Sequence, residues 1–203
     1  MRVRPYTLAD WPGLFRIQRE CFPPPYPEEQ LWSQDQIESH CRLFPDGALC
    51  VESDGELVGS CTSLIVRWDH AHGQHTWSEI SGDGYITTHD PNGNALYGID
   101  MAVRPDWRGR GVARALYQAR YDLVTRLGLD CFLAAGRMPG YHRYAGSWTP
   151  EQYAEAVVCG EIADPVITPQ IRSGLRPVQV LHGYLPDMES GNAALLLEWR
   201  RER

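Results

Sequence analysis

The residues with the clearest chemical potential lie in one short loop, residues 108–113, which is rich in arginine and glycine. Glycine lets a backbone turn tightly, so that an anion can approach the amide groups closely. Amides at the start of a helix have no partner within the helix and carry partial positive charge, which favours phosphate. Arg108, Arg110 and Arg114 add full charges around the same amides. We therefore interpret this loop as a cradle for a diphosphate, with a solvent-exposed basic turn as the simpler alternative.

The elements on either side of the loop support the cradle. Residues 96–103 are apolar enough for a strand in the interior of a sheet. After the loop, apolar residues recur at the spacing of one helix face: Val112, Leu116, Ala119, Leu123 and Leu127. Gly128 is a suitable helix C-cap, and residues 129–135 are typical of a second buried strand. The loop thus joins a strand to a helix, although neither familiar glycine-rich phosphate motif is present.

Composition limits the class of protein. The 203 residues are 43% hydrophobic and suit one domain spanning residues 1–203, and a formal charge of −7 argues against a nucleic-acid-binding surface. No stretch has the pattern of a secretion signal or the length of a membrane span, so we expect no membrane association. The six cysteines have no Cys-x-x-Cys spacing and predict free thiols in the cytoplasm.

The remaining segments predict further elements from their caps, turns and apolar spacing. In chain order these are a strand at 2–5, helices at 7–20 and 28–40, a hairpin around Ser53-Asp54-Gly55, a helix at 150–158, a short helix that stops at Gly174, and strands at 175–185 and 193–199. Proline residues at 23–27 interrupt the first two helices.

A long polar segment, residues 68–94, contains several glycines and four histidines. A loop of this length in a compact domain is usually functional, and it leads directly into the strand before the cradle, so we expect a lid or substrate pocket. The spacing of His70, His72 and His75 raises the alternative of a metal site. No cysteine or carboxylate completes a recognised set of ligands there, and we predict no metal.

The pattern Arg108-x-x-Gly111-x-Ala113, preceded by Val103-x-Pro105, resembles the acyl-CoA pyrophosphate motif of the GNAT superfamily of N-acyltransferases. The order of the elements along the chain also resembles a complete GNAT domain. The resemblance implies an α/β fold whose mixed central sheet of six or seven strands is flanked by helices and splayed at the acyl-CoA loop. It further implies an enzyme that transfers an acetyl group from acetyl-CoA directly to the primary amine of a small molecule or peptide.

A narrower resemblance is to the GNAT domain found ahead of nitrilase-type carbon–nitrogen hydrolases. It rests on Gly136-Arg137-x-Pro139-Gly140-Tyr141, Thr149-Pro150-Glu151-x-Tyr153, Gly160-Glu161-x-x-Asp164-Pro165-Val166 and Tyr184-Leu185-Pro186-Asp187. It implies an association with a separate hydrolase, and it supports an alternative in which the chain is an acyl-CoA sensor or docking module without turnover. A homodimer is also open. A nucleotide-phosphate enzyme is a weaker alternative, because the loop has no lysine.

The GNAT resemblance implies positions for the acyl-CoA. The pantetheine arm would lie along Met101, Ala102 and Val103, where an amide of Met101 or Ala102 would meet the thioester oxygen. The diphosphate would lie on the residues that follow, namely Arg108, Gly109, Arg110, Gly111, Val112, Ala113 and Arg114.

The candidates for the base lie on the strand before the cradle and in the long polar segment. Asp100 occupies a strand position near which several family members carry an acid, and its alternative role is that of a sheet residue hydrogen-bonded to a loop. Glu79 and His89 are candidate substrate contacts that could act through a water, with ordinary surface residues as the alternative.

The candidates for the acid depart from the family pattern. Many GNAT domains place a tyrosine four residues before the glycine that ends the last helix, and in this chain Gln170 stands there. Tyr141 and His142 follow the second buried strand and are the substitutes by position, with packing of an aromatic loop as the alternative.

Overall fold

The fold is organised around a mixed, open, seven-stranded sheet. The computed structural model describes residues 1–23, 31–69 and 73–201. Across the sheet the strands are β1 (Arg2–Pro5), β2 (Ala48–Ser53), β3 (Glu56–Val66), β4 (Ala95–Val103), β5 (Cys131–Arg137), β7 (Ala194–Arg200) and β6 (Arg176–Leu181). Only β4 and β5 pair in parallel, among the strands described.

Helices flank the sheet, and side-chain caps fix where several of them begin. They are α1 (Trp11–Cys21), α2 (Gln34–Leu43), α3 (Trp77–Ser81), α4 (Val112–Leu127), α5 (Pro150–Val158) and α6 (Ile167–Arg172). The oxygens of Ser33, Thr76 and Thr149 each accept the backbone amide three residues later. The predicted mixed sheet flanked by helices is confirmed.

Two predicted boundaries are wrong for local reasons. The helix expected at 28–40 begins at Gln34, because Ser33 caps it there; residues 24–30 lie outside the described residues. The segment 68–94, expected to be a loop, contains α3, since Thr76 and Glu79 form a reciprocal capping box. A helix of five residues is too short to show a hydrophobic period.

The predicted hairpin between β2 and β3 is confirmed. Asp54 and Gly55 both have left-handed backbone angles, with φ of 53° and 79°. Such a pair forms the tight turn whose twist matches that of two antiparallel strands.

β4 and β5 diverge toward their carboxyl ends. Their pairing covers Ala95 to Gly98 on β4 and ends where Gly98 lies opposite Ala134. Beyond that rung, β4 continues beside β3 as far as Val103, whereas β5 continues beside β7. The opening between them, which we call the fork, confirms the predicted splay of the sheet.

The apolar residues of α4 attach it to one face of the sheet. Val112 and Leu116 are almost fully buried in a cluster with Leu49, Val51, Val58 and Cys61. Burial of one such side chain stabilises a fold by about 2 kcal/mol, so the helix is held firmly beside the fork. None of the described helices is long and apolar enough to cross a membrane.

Candidate functional site

The loop before α4 presents backbone amides to the open side of the fork. Gly111 is the N-cap of α4, with φ of 86°, and its carbonyl accepts the Ala115 amide at 3.0 Å. The amides of residues 112–114 precede that first bond, so they point out of the start of the helix. A Cβ on Gly111 would meet no atom within 4 Å, so it is the backbone angle, rather than crowding, that requires glycine.

The loop also carries arginines that are available to a ligand. Arg108, Arg110 and Arg114 are exposed, and within the described residues none of them forms an ion pair with a carboxylate. Neighbouring Arg104 contrasts with them, because it bonds to three carboxylates, those of Glu20, Glu56 and Asp106. Free amides and unpaired guanidinium groups together fit a diphosphate.

The strand arm of the site is the part of β4 beyond the fork, Met101 to Val103. Val103 lies at its end, where its carbonyl oxygen accepts the Cys21 thiol at 3.2 Å and lies 3.4 Å from Arg108 Nε. Since β5 has already turned away, the backbone groups of β4 on that side face the fork. An extended amide-containing chain such as pantetheine fits along them, so the residues present fit an acyl-CoA.

A β-bulge sets the face of the sheet to which Asp100 points, just beyond the start of the fork. Thr62 lies opposite Asp100, but the next residue on β3, Ser63, lies opposite Gly98, so Ile99 is an extra residue on β4. Without the bulge, Asp100 would point to the same face as Gly98, because side chains alternate along a strand. The extra residue turns the carboxyl away from α4, toward the other face of the sheet.

The carboxyl of Asp100 has an unusual environment. Trp32 Nε1–H donates a hydrogen bond to Oδ2 at 3.3 Å, and the Met101 amide also donates to the carboxylate. Burial nevertheless raises the pKa of Asp100 to about 6, against the opposing effects of Trp32 and the Arg120 guanidinium. At neutral pH the group is a carboxylate that can accept a proton readily.

Two tryptophans that the sequence analysis missed support the bulge. Trp32 is 5.8 Å from Trp77 between ring centroids, and Trp77 Nε1–H donates to the Ile99 carbonyl at 3.0 Å. Both indoles are thus hydrogen-bonded to β4, from segments 68 and 22 residues away in the chain. The sequence gives no signal for these two contacts with β4, because they depend on how distant segments pack together.

The predicted acid candidates lie in the turn after β5, and each has a backbone partner. The Tyr141 side chain is buried and its hydroxyl donates to the Trp148 carbonyl at 2.9 Å. His142 is exposed, with Nδ1 2.6 Å from the Pro139 carbonyl oxygen. Among the described residues, no hydrogen bond joins either side chain to Asp100.

The predicted substrate contacts both have partners within the protein, Glu79 in its own segment and His89 on β3. Glu79 accepts from the amide and hydroxyl of Thr76 at 2.8 and 2.9 Å, which lowers its pKa. His89 Nδ1 accepts the Ile65 amide at 3.1 Å, and burial lowers its pKa.

Of the three histidines considered as metal ligands, the structure describes His75 alone. His70 and His72 lie outside the described residues. His75 is buried, with Nε2 2.9 Å from the Tyr97 hydroxyl.

Comparison with known proteins agrees with this arrangement. The family model of the acetyltransferase (GNAT) family matches residues 11–144. The chain belongs to the GNAT family. Membership makes it an N-acetyltransferase that takes its acetyl group from acetyl-CoA, as the sequence predicted.

Relatives of the GNAT enzyme described here occur in Bacillus subtilis (strain 168). The uncharacterized N-acetyltransferase YkwB is 41% identical over 200 residues, which cover 98% of this chain and 88% of YkwB. The probable hydrolase YhcX is 38% identical over 200 residues, which cover 98% of this chain but only 38% of YhcX.

The fold is also similar to a solved GNAT structure. The GNAT-like decarboxylase GphF, in complex with isobutyryl-CoA, superposes with a TM-score of 0.79 at 22% identity, over 98% of this chain and 99% of that one. The likeness confirms the GNAT fold that was predicted.

Proposed function

We propose that this GNAT enzyme transfers the acetyl group directly to a primary amine of a small molecule or peptide, with Asp100 as the general base. The observation that carries the proposal is the Asp100 carboxyl, which the bulge turns to the face of the sheet opposite α4, beside the fork, and whose pKa burial raises to about 6. An amine acceptor is largely protonated at neutral pH, so transfer requires a group that removes a proton. A carboxyl with a pKa near neutrality suits that task.

The same proposal includes the acyl-CoA site predicted from the GNAT resemblance. The backbone of Met101, Ala102 and Val103 would hold the pantetheine arm, and the diphosphate would lie on residues 108–114. When bound, acetyl-CoA supplies an activated carbonyl for attack by the amine. Asp100 accepts the proton that the amine nitrogen loses as the new C–N bond forms and the C–S bond breaks.

Proton donation to the departing sulfur is assigned to Tyr141 or His142 by position alone. To act as the acid, Tyr141 would have to release the Trp148 carbonyl to which its hydroxyl donates. A thiol has a pKa of about 8.5, so the sulfur can also leave as a thiolate. An unchanged pH–rate profile in Tyr141→Phe and His142→Ala would exclude both residues as the acid.

The test of the proposal is release of free CoA thiol from acetyl-CoA in the presence of a library of primary amines. Asp100→Asn should lower kcat by about 100-fold or more, the usual scale of a general base. Asp122→Asn, an exposed acid on α4, is the matched control and should leave kcat unchanged. Full activity of Asp100→Asn would remove Asp100 from the mechanism.

The second candidate is an acyl-CoA sensor or docking module for a separate nitrilase-type hydrolase. It is favoured by the match of nearly the whole chain to a segment of the probable hydrolase YhcX, and by Gln170 in place of the family tyrosine. Binding of acetyl-CoA by calorimetry, without thiol release from any amine, would support it. Light scattering on the purified chain, alone and with such a hydrolase, tests both the homodimer and the complex.

We further propose that residues 1–203 act as one domain in the cytoplasm. The support is compositional, since Cys21, Cys41, Cys50, Cys61, Cys131 and Cys159 are all free thiols. Cysteines that remain free thiols are typical of proteins in a reducing compartment.

A further inference from the structure

Arg120 is a buried arginine whose hydrogen bonds to other described residues go to β3 and β4, the two strands that form the bulge. It lies on α4 and is 2% exposed. Its Nε donates to Ser63 Oγ at 3.0 Å, and its Nη2 donates to the carbonyl oxygens of Thr62 at 3.0 Å and Asp100 at 2.5 Å. One guanidinium therefore ties both sides of the bulge together.

The strand is shaped to admit this side chain. A Cβ on Gly98 would lie 3.1 Å from Arg120 Cζ, so a larger residue there would push the guanidinium away. On its other side, the guanidinium lies 5.1 Å from the centre of the Phe132 ring. The arginine therefore packs beside Gly98 of β4 and the Phe132 ring of β5, close to the rung where the two strands part.

Stability alone does not account for a charge in this position. Within the described residues Arg120 forms no ion pair with a carboxylate, although it is almost fully buried. Burying a charge costs free energy, and an apolar side chain of similar volume is often as stable or more stable. The hydrogen bond from Arg120 to the Asp100 carbonyl instead connects this buried charge to the proposed base.

We propose that Arg120 is a positioning residue, which fixes the bulge at Ile99 and so holds the Asp100 carboxyl on the face of the sheet opposite α4, beside the fork. The inference rests on the proposed role of Asp100 as the base. Arg120 acts through the Asp100 backbone carbonyl, and it lies on the same helix whose first turn forms the diphosphate cradle.

The ionisation of Asp100 gives this proposal a direct readout. Among the residues that the structure describes, four titratable groups on the surrounding elements influence or are influenced by the carboxylate: Tyr6 after β1, Cys21 on α1, Cys61 on β3 and Arg120 on α4. Burial raises the pKa of Tyr6, Cys21 and Cys61, so these three are neutral at pH 7. Arg120 is the charged member of the set and keeps the Asp100 pKa from rising further.

The experiment compares Arg120→Met and Arg120→Lys with Arg126→Met, a control on the exposed end of the same helix. We expect Arg120→Met to lower kcat by about tenfold or more, with little change in KM for acetyl-CoA. The Asp100 carboxyl, followed by carbon-13 NMR and assigned with Asp100→Asn, should titrate about one pH unit higher. Arg126→Met should match the wild type in both measurements.

Arg120→Lys separates charge from geometry and is expected to fold even if Arg120→Met does not. It keeps the cation but cannot reach three acceptors, so the Asp100 midpoint should stay near the wild-type value while kcat falls. A wild-type kcat in Arg120→Lys would overturn the proposal. So would a folded Arg120→Met that has both a wild-type kcat and an unshifted Asp100 midpoint. The NMR titration reports the effect of the Arg120 charge on Asp100 even if Asp100→Asn proves active, so failure of the proposed base and failure of the proposed link to Arg120 are distinguishable.

Discussion

At Asp100 the requirements of folding and of chemistry oppose each other. The carboxyl lies where burial disfavours its charge, and the Trp32 indole, the Met101 amide and the Arg120 cation oppose that effect. A group held in this way is costly to ionise and correspondingly ready to accept a proton. Asp100→Asn removes the charge that burial disfavours, whereas Trp32→Phe removes a hydrogen bond that stabilises this charge.

Asp100→Asn should stabilise the protein above pH 6 while abolishing turnover. Because burial raises the folded-state pKa to about 6, Asp100 contributes most favourably below about pH 4 and loses that contribution as the pH rises through 6. Removing the charge should therefore increase the free energy of unfolding at pH 8 by up to about 3 kcal/mol. Urea unfolding at pH 8 and pH 4 measures the difference, which should be absent at pH 4.

Trp32→Phe should shift the pH dependence of kcat upward. The substitution removes the indole N–H that donates to Asp100 Oδ2 at 3.3 Å, and that hydrogen bond favours the carboxylate. Activity should fall at pH 6 and recover by pH 8, as measured by thiol release. Trp148→Phe, whose ring stacks on Tyr144, controls for loss of an indole and should keep the wild-type profile.

At the scale of elements, α4 serves the site at both its first and its third turn. Its N-terminus forms the cradle through Gly111, whereas Arg120, nine residues later, reaches the bulge of β4. A shift of this helix would disturb the diphosphate site and the base together. The backbone at its two ends offers a matched comparison.

Gly111→Ala should weaken acetyl-CoA binding far more than Gly128→Ala. Both glycines cap α4, with φ of 86° and 68°, and a Cβ added to either would have no other atom within 4 Å. Each substitution should cost about 1 kcal/mol of stability through the same backbone strain. Only Gly111→Ala should raise the dissociation constant of acetyl-CoA, by about tenfold, in calorimetry. Equal affinities would show that the amides at the start of α4 do not hold the diphosphate.

The sequence predicts the elements that depend on local signals and misses the contacts that join distant ones. The cradle around Gly111 and the hairpin at Asp54 follow from glycine positions and apolar spacing within a few residues. The bulge at Ile99 depends on the register between β3 and β4, which no single segment specifies. Trp32 and Arg120 reach Asp100 through that register, so their roles could not be predicted.

At the scale of the whole molecule, the fork leaves backbone groups of β4 without a neighbouring strand. Binding of acetyl-CoA should slow amide hydrogen exchange in residues 99–103 and in residues 109–114, because both segments would gain hydrogen-bond partners. The distant edge strand β6, Arg176–Leu181, is the internal control and should exchange at the same rate with and without acetyl-CoA. Uniform slowing across both regions would indicate general stabilisation instead.

The fork also affects how strongly the protein resists unfolding and proteolysis. It leaves an open strand edge in the middle of the sheet, where β4 and β5 part after Gly98 and Ala134. A bound acyl-CoA would pair with that open edge as an additional strand does. Because the ligand binds only the folded protein, its binding favours the folded state. Resistance to proteolysis should therefore rise with the concentration of acyl-CoA, as digestion of the purified protein with and without acetyl-CoA would measure.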